Sequence, residues 1–159
     1  MDERTYWRAF PAHPTPYGEE APERGHSESE ARHAAPFTTD QDHTGYLETA
    51  ETSPFRIELG ITYPATTVDA TIEAAVGAMA EWGRTSPDER AMVCLELLDR
   101  LAKASFTMAH AVMHTTGQSF LMAFQAGGPH ALDRGLEAVA YAYSEQRRLP
   151  DPLRWVKPQ

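Results

Sequence analysis

The sequence predicts a mainly α-helical chain, in which a short β-hairpin or strand precedes four or so helices. Three observations carry this. Apolar residues recur at three- and four-residue spacing through most of the stretch from Val68 to Arg148. A complete helix start is written at Ser86-Pro87-Asp88-Glu89. A period of two is sustained only between Pro54 and Pro64.

The elements follow in order. Residues 1–52 read as an irregular arm rich in proline and acid, partly disordered. Residues 18–35 in particular bury too little apolar surface to offset the entropy of ordering. Tyr6, Trp7 and Phe10 are the exception, an aromatic cluster expected to pack on a surface. A second region, residues 53–148, holds the hairpin and the helical block. There Phe55, Ile57, Leu59, Ile61 and Tyr63 alternate with Arg56, Glu58, Gly60 and Thr62, and Gly60 marks a turn or bulge between two shorter pieces.

Thr66 or Thr67 caps a first helix, whose stripe is Val68, Ile72, Ala75, Val76, Met79 and Trp82 and whose stop is Gly83. The second helix runs from Pro87 to about Ala104, with Ala91, Cys94, Leu95, Leu98, Leu101 and Ala102 facing one way. Ser105 starts a third, Phe106 to about Thr115, ended by Gly117. A further helical stretch spans Ser119 to Ala126, and Pro129 opens the last, running to about Arg147. Arg147 and Arg148 oppose the helix dipole there. Residues 149–159 read as an extended tail leading to a missing downstream region. From Phe106 to Phe124 apolar residues occupy nearly every side, which predicts that a missing neighbour covers this stretch.

Charge narrows the function classes. The net charge is -9, and residues 1–60 hold 12 acidic against 5 basic side chains. Lysine occurs only at positions 103 and 157, so the clustered basic surface that phosphate binding needs is lacking and nucleic acid is not an expected partner. No apolar run approaches the roughly 20 residues that cross a bilayer, and the start Met1-Asp2-Glu3-Arg4 has no signal-peptide pattern. The expectation is a cytoplasmic protein with no membrane partner. The single cysteine, Cys94, excludes an internal disulfide framework.

Candidate chemistry is sparse. His110 and His114 stand four apart on a helix, the spacing that lets two imidazoles share a metal ion. No glutamate adjoins the first histidine, and a third ligand would have to be His130 or a distant carboxylate, so hydrogen-bonded histidines in or beside the core are the preferred reading. Cys94 sits mid-helix on an apolar stripe, where burial disfavours the thiolate and makes it inert. Gly117 and Gly127-Gly128 do not cradle phosphate, since no strand leads into them and no Gly-Lys-Ser/Thr follows. Ser105, His110 and Asp99 form no nucleophile motif. No catalytic, cofactor-binding or metal site is assigned to this chain.

The order of signals nevertheless carries a resemblance. Ser53-Pro54, Gly60, Tyr63-Pro64, Val68-Asp69, Ile72-Glu73-Ala74-Ala75, Trp82, Ser86-Pro87-Asp88-Glu89-Arg90, Leu97-Leu98-Asp99 and Thr116-Gly117-Gln118 resemble the N-terminal part of the aldehyde dehydrogenase superfamily. Where common members carry Glu-Thr-Gly-Lys, this chain reads Thr115-Thr116-Gly117-Gln118. The stretch from Ala109 through Gly127-Gly128-Pro129-His130 to Tyr143, and the arm motifs Tyr6-Trp7, Phe10-Pro11 and Pro16-Tyr17-Gly18-Glu19, resemble the phenylacetic-acid-degradation subgroup.

The resemblance implies an α/β enzyme that oxidises an aldehyde, here a ring-opened semialdehyde, through a cysteine thiohemiacetal with NAD or NADP. The family's nucleophilic cysteine, general-base glutamate and cofactor site correspond to positions beyond Gln159, and Cys94 does not match the nucleophile's context. The chain is thus expected to be an N-terminal segment, truncated or separately encoded, inactive alone and partnered by the remainder of the dehydrogenase or by another copy of itself. The alternative is a non-enzymatic helical interaction module or the subunit of a split enzyme.

Overall fold

The computed structural model describes Pro11, residues 17–49 and residues 51–149; Tyr6, Trp7, Phe10 and residues 150–159 of the expected tail lie outside the described residues. Among the described residues, six helices and a two-stranded sheet follow in the order α1 (Ala21–Glu30), β1 (Gly45–Leu47), β2 (Tyr63–Ala65), α2 (Val68–Trp82), α3 (Pro87–Lys103), α4 (Ser105–Thr116), α5 (Phe120–Gly127) and α6 (Pro129–Arg147). The mainly helical fold with a short hairpin-like sheet is as the sequence predicts.

Helix starts and stops are set locally. Thr67 Oγ1 accepts from the Ala70 amide at 3.1 Å and begins α2. At α3 the capping box is complete: the Ser86 hydroxyl accepts from the Glu89 amide at 3.2 Å, and the Ser86 amide donates to Glu89 Oε2 at 2.7 Å. The Ser86 amide, and after it the Ser86 hydroxyl donating to the same oxygen at 2.9 Å, hold the Glu89 carboxyl below its usual range. Gly117 closes α4 at φ 75, with its amide on the Met113 carbonyl at 2.9 Å, a left-handed turn that glycine enters without strain. Ser105 is not a cap. It lies in the first turn of α4, and its hydroxyl turns back to the Leu101 carbonyl at 3.5 Å.

The strand expectation is right in kind and wrong in place. β1 and β2 pair antiparallel, with Tyr46 opposite Pro64, so the proline taken as a boundary lies inside a strand. An outer strand tolerates it because its missing N–H need not pair. Upstream, the alternating residues bend instead. The Ser53 carbonyl accepts from the Arg56 amide at 2.8 Å around Pro54, and Thr52 bridges Glu58. Arg56 and Gly60 both take positive φ, 62 and 61, which breaks any straight strand.

The arm holds the main departure. Residues 18–35, expected to be without order, contain α1, which packs along α4. Pro22 stands in its first turn, and its buried residues Ala21, Gly25 and Ser29 recur every four positions. Composition hid this helix because the face is made of small side chains rather than large apolar ones. A Cβ on Gly25 would collide with the Phe106 Cβ and lie 3.0 Å from the Phe106 carbonyl carbon and the Thr107 amide. Only a near-bare backbone admits this approach.

α1, α4 and α5 enclose the core of Ala21, Phe106, Ala109 and Phe124, with Tyr17 and Phe120 packed against it. The Tyr17 ring meets Phe106 and Phe124 edge-on, each with centroids 5.5 Å apart. Burial first, then Asp133, push the Tyr17 hydroxyl above its ordinary pKa. The stretch read as lacking a neighbour is thus covered from within the chain for the most part, though Leu121 and Met122 stay exposed.

A second layer pairs α3 with α6. The Arg90 guanidinium reaches Gln146 Oε1 at 3.0 Å and the Thr85 carbonyl at 2.9 Å. The Tyr143 hydroxyl donates to Asp88 Oδ1 at 2.7 Å. Because Gly135 approaches Leu98 while Gln146 meets Arg90, the two helices run antiparallel. α2 has no comparable packing partner among the described elements. Every residue from Val68 to Trp82 is exposed.

Candidate functional site

The structure gathers histidines where sequence spacing offered only two. α4 carries His110 and His114 one turn apart, on the side turned toward α1 and the loops around it. His26 of α1 lies 5.0 Å from His110, ring to ring, and His33, just after α1, lies 5.8 Å from His114. Phe120 packs on His110 at 4.9 Å, and Phe55 stands edge-on to His114 at 6.1 Å. Among the described residues, no group of three or more His, Cys, Asp or Glu side chains is placed to hold a metal ion.

His114 is tied more firmly than its neighbours. Its Nδ1 lies 2.9 Å from the hydroxyl of Ser53, and both residues are buried. Ser53 Oγ also accepts from the Phe55 amide at 3.2 Å, and with the His114 proton on Nε2 the serine hydrogen donates to Nδ1. This resembles half of a nucleophilic dyad, but both groups are buried and hold the loop to the helix. The role of Ser53 is to fasten residues 51–59 to α4.

Electrostatics agree with packing. Burial pushes the His110 imidazole below its ordinary pKa, His26 and His114 push the same way, and Glu30 opposes them. Burial lowers His114 as well, aided by His33 and His26. Each imidazole is therefore held neutral more firmly than a free histidine.

The remaining candidates stay apart. Ser105 bonds to Leu101 rather than to His110, while Asp99 pairs with Lys103 at 2.6 Å, so the three residues form no relay. Cys94 is half-buried on α3 rather than fully enclosed as its stripe position predicts. His130 is exposed in the first turn of α6. Gly127 and Gly128 join two helices rather than a strand to a helix. Sequence reasoning missed His26 and His33 because it set their segment aside as disordered. The signal that finds them is the four-residue spacing of Ala21, Gly25 and Ser29 behind Pro22.

No protein-family model and no curated protein matches the sequence. Among solved structures, the chain is similar to the NAD-dependent aldehyde dehydrogenase from Burkholderia multivorans, with 47% identity and a TM-score of 0.87 over 97% of this chain. The chain spans 28% of that enzyme's length. At this identity the likeness extends to sequence as well as fold, and it supports the aldehyde dehydrogenase superfamily as the one to which this helical segment is related.

Proposed function

We propose that this chain is a scaffold segment of an NAD(P)-dependent aldehyde dehydrogenase of phenylacetate catabolism, acting on a ring-opened semialdehyde, and that by itself it oxidises no aldehyde. The observation that carries this is the likeness to the Burkholderia multivorans enzyme over nearly the whole chain but little more than a quarter of the enzyme. NAD is the cofactor named for that relative. The phenylacetate assignment rests on the motif from Ala109 to Tyr143.

The described residues do not fit a nicotinamide cofactor. A dinucleotide site needs a strand running into a glycine-rich turn and a helix N-terminus. Here the two strands are antiparallel, and the Gly127-Gly128 pair links α5 to α6. No reaction step is therefore assigned to this chain's own residues.

What they offer is a surface. Val68, Ile72, Val76, Met79 and Trp82 line α2 and are all exposed, Val68 to 75% and Met79 to 66%. Burying each such side chain is worth about 1.5–3 kcal/mol, so an open face of five forfeits a large stabilisation. The remainder of the dehydrogenase is what covers this face in the assembled enzyme. A second reading, favoured by the same face, is an interaction module that covers α2 with another copy of the chain.

Two measurements on the purified chain test these readings. Incubated with NAD or NADP and an aromatic or ring-opened aldehyde, it should reduce no nicotinamide above a protein-free control, and turnover would overturn the inactivity claim. Light scattering coupled to size exclusion addresses the second reading. A monomer that unfolds cooperatively would remove self-association.

A further inference from the structure

The seam between α1 and α4 is built from imidazoles. His26 and His110 form one pair at 5.0 Å, His33 and His114 a second at 5.8 Å. Alongside them, the Thr107 hydroxyl donates to Glu28 at 2.7 Å, and the backbones meet at Gly25 and Phe106. The charges that α1 brings to this face are few and peripheral. Arg24 sits 4.0 Å from Glu28, and His26 Nε2 lies 3.4 Å from Glu30, whose side chain is 63% exposed. From α5 the neighbour of His110 is the apolar Phe120, and from residues 51–59 the neighbours of His114 are Ser53 and Phe55. Against positive charge on α4, this seam sets one solvent-screened carboxylate, Glu30, beside an imidazole.

We propose that this seam is a proton-released latch, in which His110 and His114 of α4, each set against a histidine ring of the α1 segment, hold α1 on α4 while they are neutral and free α1 and the turn after it when they are protonated. Two features of the geometry drive the release. A proton on His110 or His114 puts a positive charge into the packed seam between α1 and α4, where burial disfavours it and the facing ring lies 5.0 or 5.8 Å away. In the imidazolium, His114 Nδ1 is a donor only, so Ser53 Oγ, which already accepts from the Phe55 amide, can no longer place its own hydrogen there. The sign follows from burial. The folded state holds His110 and His114 below their ordinary value, so the released state binds protons more readily. Docking is complete above the ordinary imidazole pKa and is lost as pH falls below it. α3 and α6 share none of these groups and should stay paired.

Hydrogen exchange read by mass spectrometry on the full chain tests the latch, at about pH 7.5 and about pH 5.5, each corrected for the intrinsic exchange rate. The segment Ala21–Glu30 should lose about tenfold in protection relative to α3 and α6 on acidification. The double variant His26→Gln with His110→Gln should flatten most of that difference. His114→Asn, which keeps an acceptor near the place of Nδ1, should flatten the remainder. Equal loss of protection in all helices, or none in α1, would overturn the proposal. So would an undiminished pH response in variants that fold. The wild-type comparison decides on its own if a variant does not fold.

Discussion

α2 and the trio α1, α4 and α5 carry similar helical patterns and have opposite fates. In the trio, Phe106, Ala109 and Phe124 are enclosed, and even the polar Ser105, Thr107 and His114 are buried. In α2, which has the more regular apolar stripe, nothing is buried. The pattern states that a face needs cover and is silent on what supplies it. For α4 the cover came from α1, a helix with almost no large apolar residue. α1 works because Ala21, Gly25 and Ser29 let two backbones meet, which trades hydrophobic area for proximity. α2 has the area and lacks the partner.

The comparison breaks most visibly at Phe124. Its side chain is fully enclosed at 0% exposure and touches Phe106 at 4.8 Å, centroid to centroid. Phe124→Ala should lower the unfolding free energy by about 3–5 kcal/mol, through lost transfer energy and the cavity left behind. The control is Met79→Ala on α2, where the side chain is already in water and the change should stay within about 0.5 kcal/mol. Urea midpoints at unchanged slope measure both. Similar losses at the two sites would mean that α2 is covered in solution and that the contrast between the regions is false.

Gly25 sharpens the contrast from the side of α1. In an open helix, Gly→Ala gains up to about 1 kcal/mol of propensity. Here the added methyl meets Phe106 backbone and side-chain atoms that cannot swing away, and overpacking costs about 1–3 kcal/mol. The clash should win, leaving Gly25→Ala destabilised by about 1–2 kcal/mol and α1 the first element to lose hydrogen-exchange protection. A stabilised variant would show that α1 does not sit on α4 as described.

How much was legible beforehand divides along the same line. Where a residue's own neighbours in sequence decide its conformation, reading succeeds. Thr67, the Ser86–Glu89 capping box, Gly117 and Pro129 set the limits of α2 through α6 nearly residue by residue. Where partners from afar decide it, reading fails. β2 needs β1, some eighteen residues upstream and read as part of the arm. α1 needs α4, and the histidine seam needs both. Of the four histidines only His110 and His114 stood out, because helical spacing is local, whereas His26 and His33 acquire meaning through tertiary contact. The crowded apolar stretch after Phe106 finds most of its cover inside the chain, Leu121 and Met122 excepted, whereas the orderly stripe of α2 finds none.

The smallest expected effect is the most discriminating, because its sign depends on what lies over α2. Gly77 sits mid-helix, and a Cβ built there meets nothing within 4 Å. In the chain alone, Gly77→Ala should therefore stabilise, by about 0.5–1 kcal/mol, since the methyl restricts the unfolded chain and improves helix propensity at no steric cost. If α2 docks against a dehydrogenase body with its backbone close to the partner, the same methyl occupies the interface and the gain reverses on assembly. Thermal melts of the chain alone and in the presence of that body separate the cases. A stabilising effect in both places the partner on the Val68–Ile72–Val76–Met79 stripe without close approach at Gly77, whereas a destabilising effect in the chain alone would mean that α2 already has a neighbour and that its open face is closed in solution.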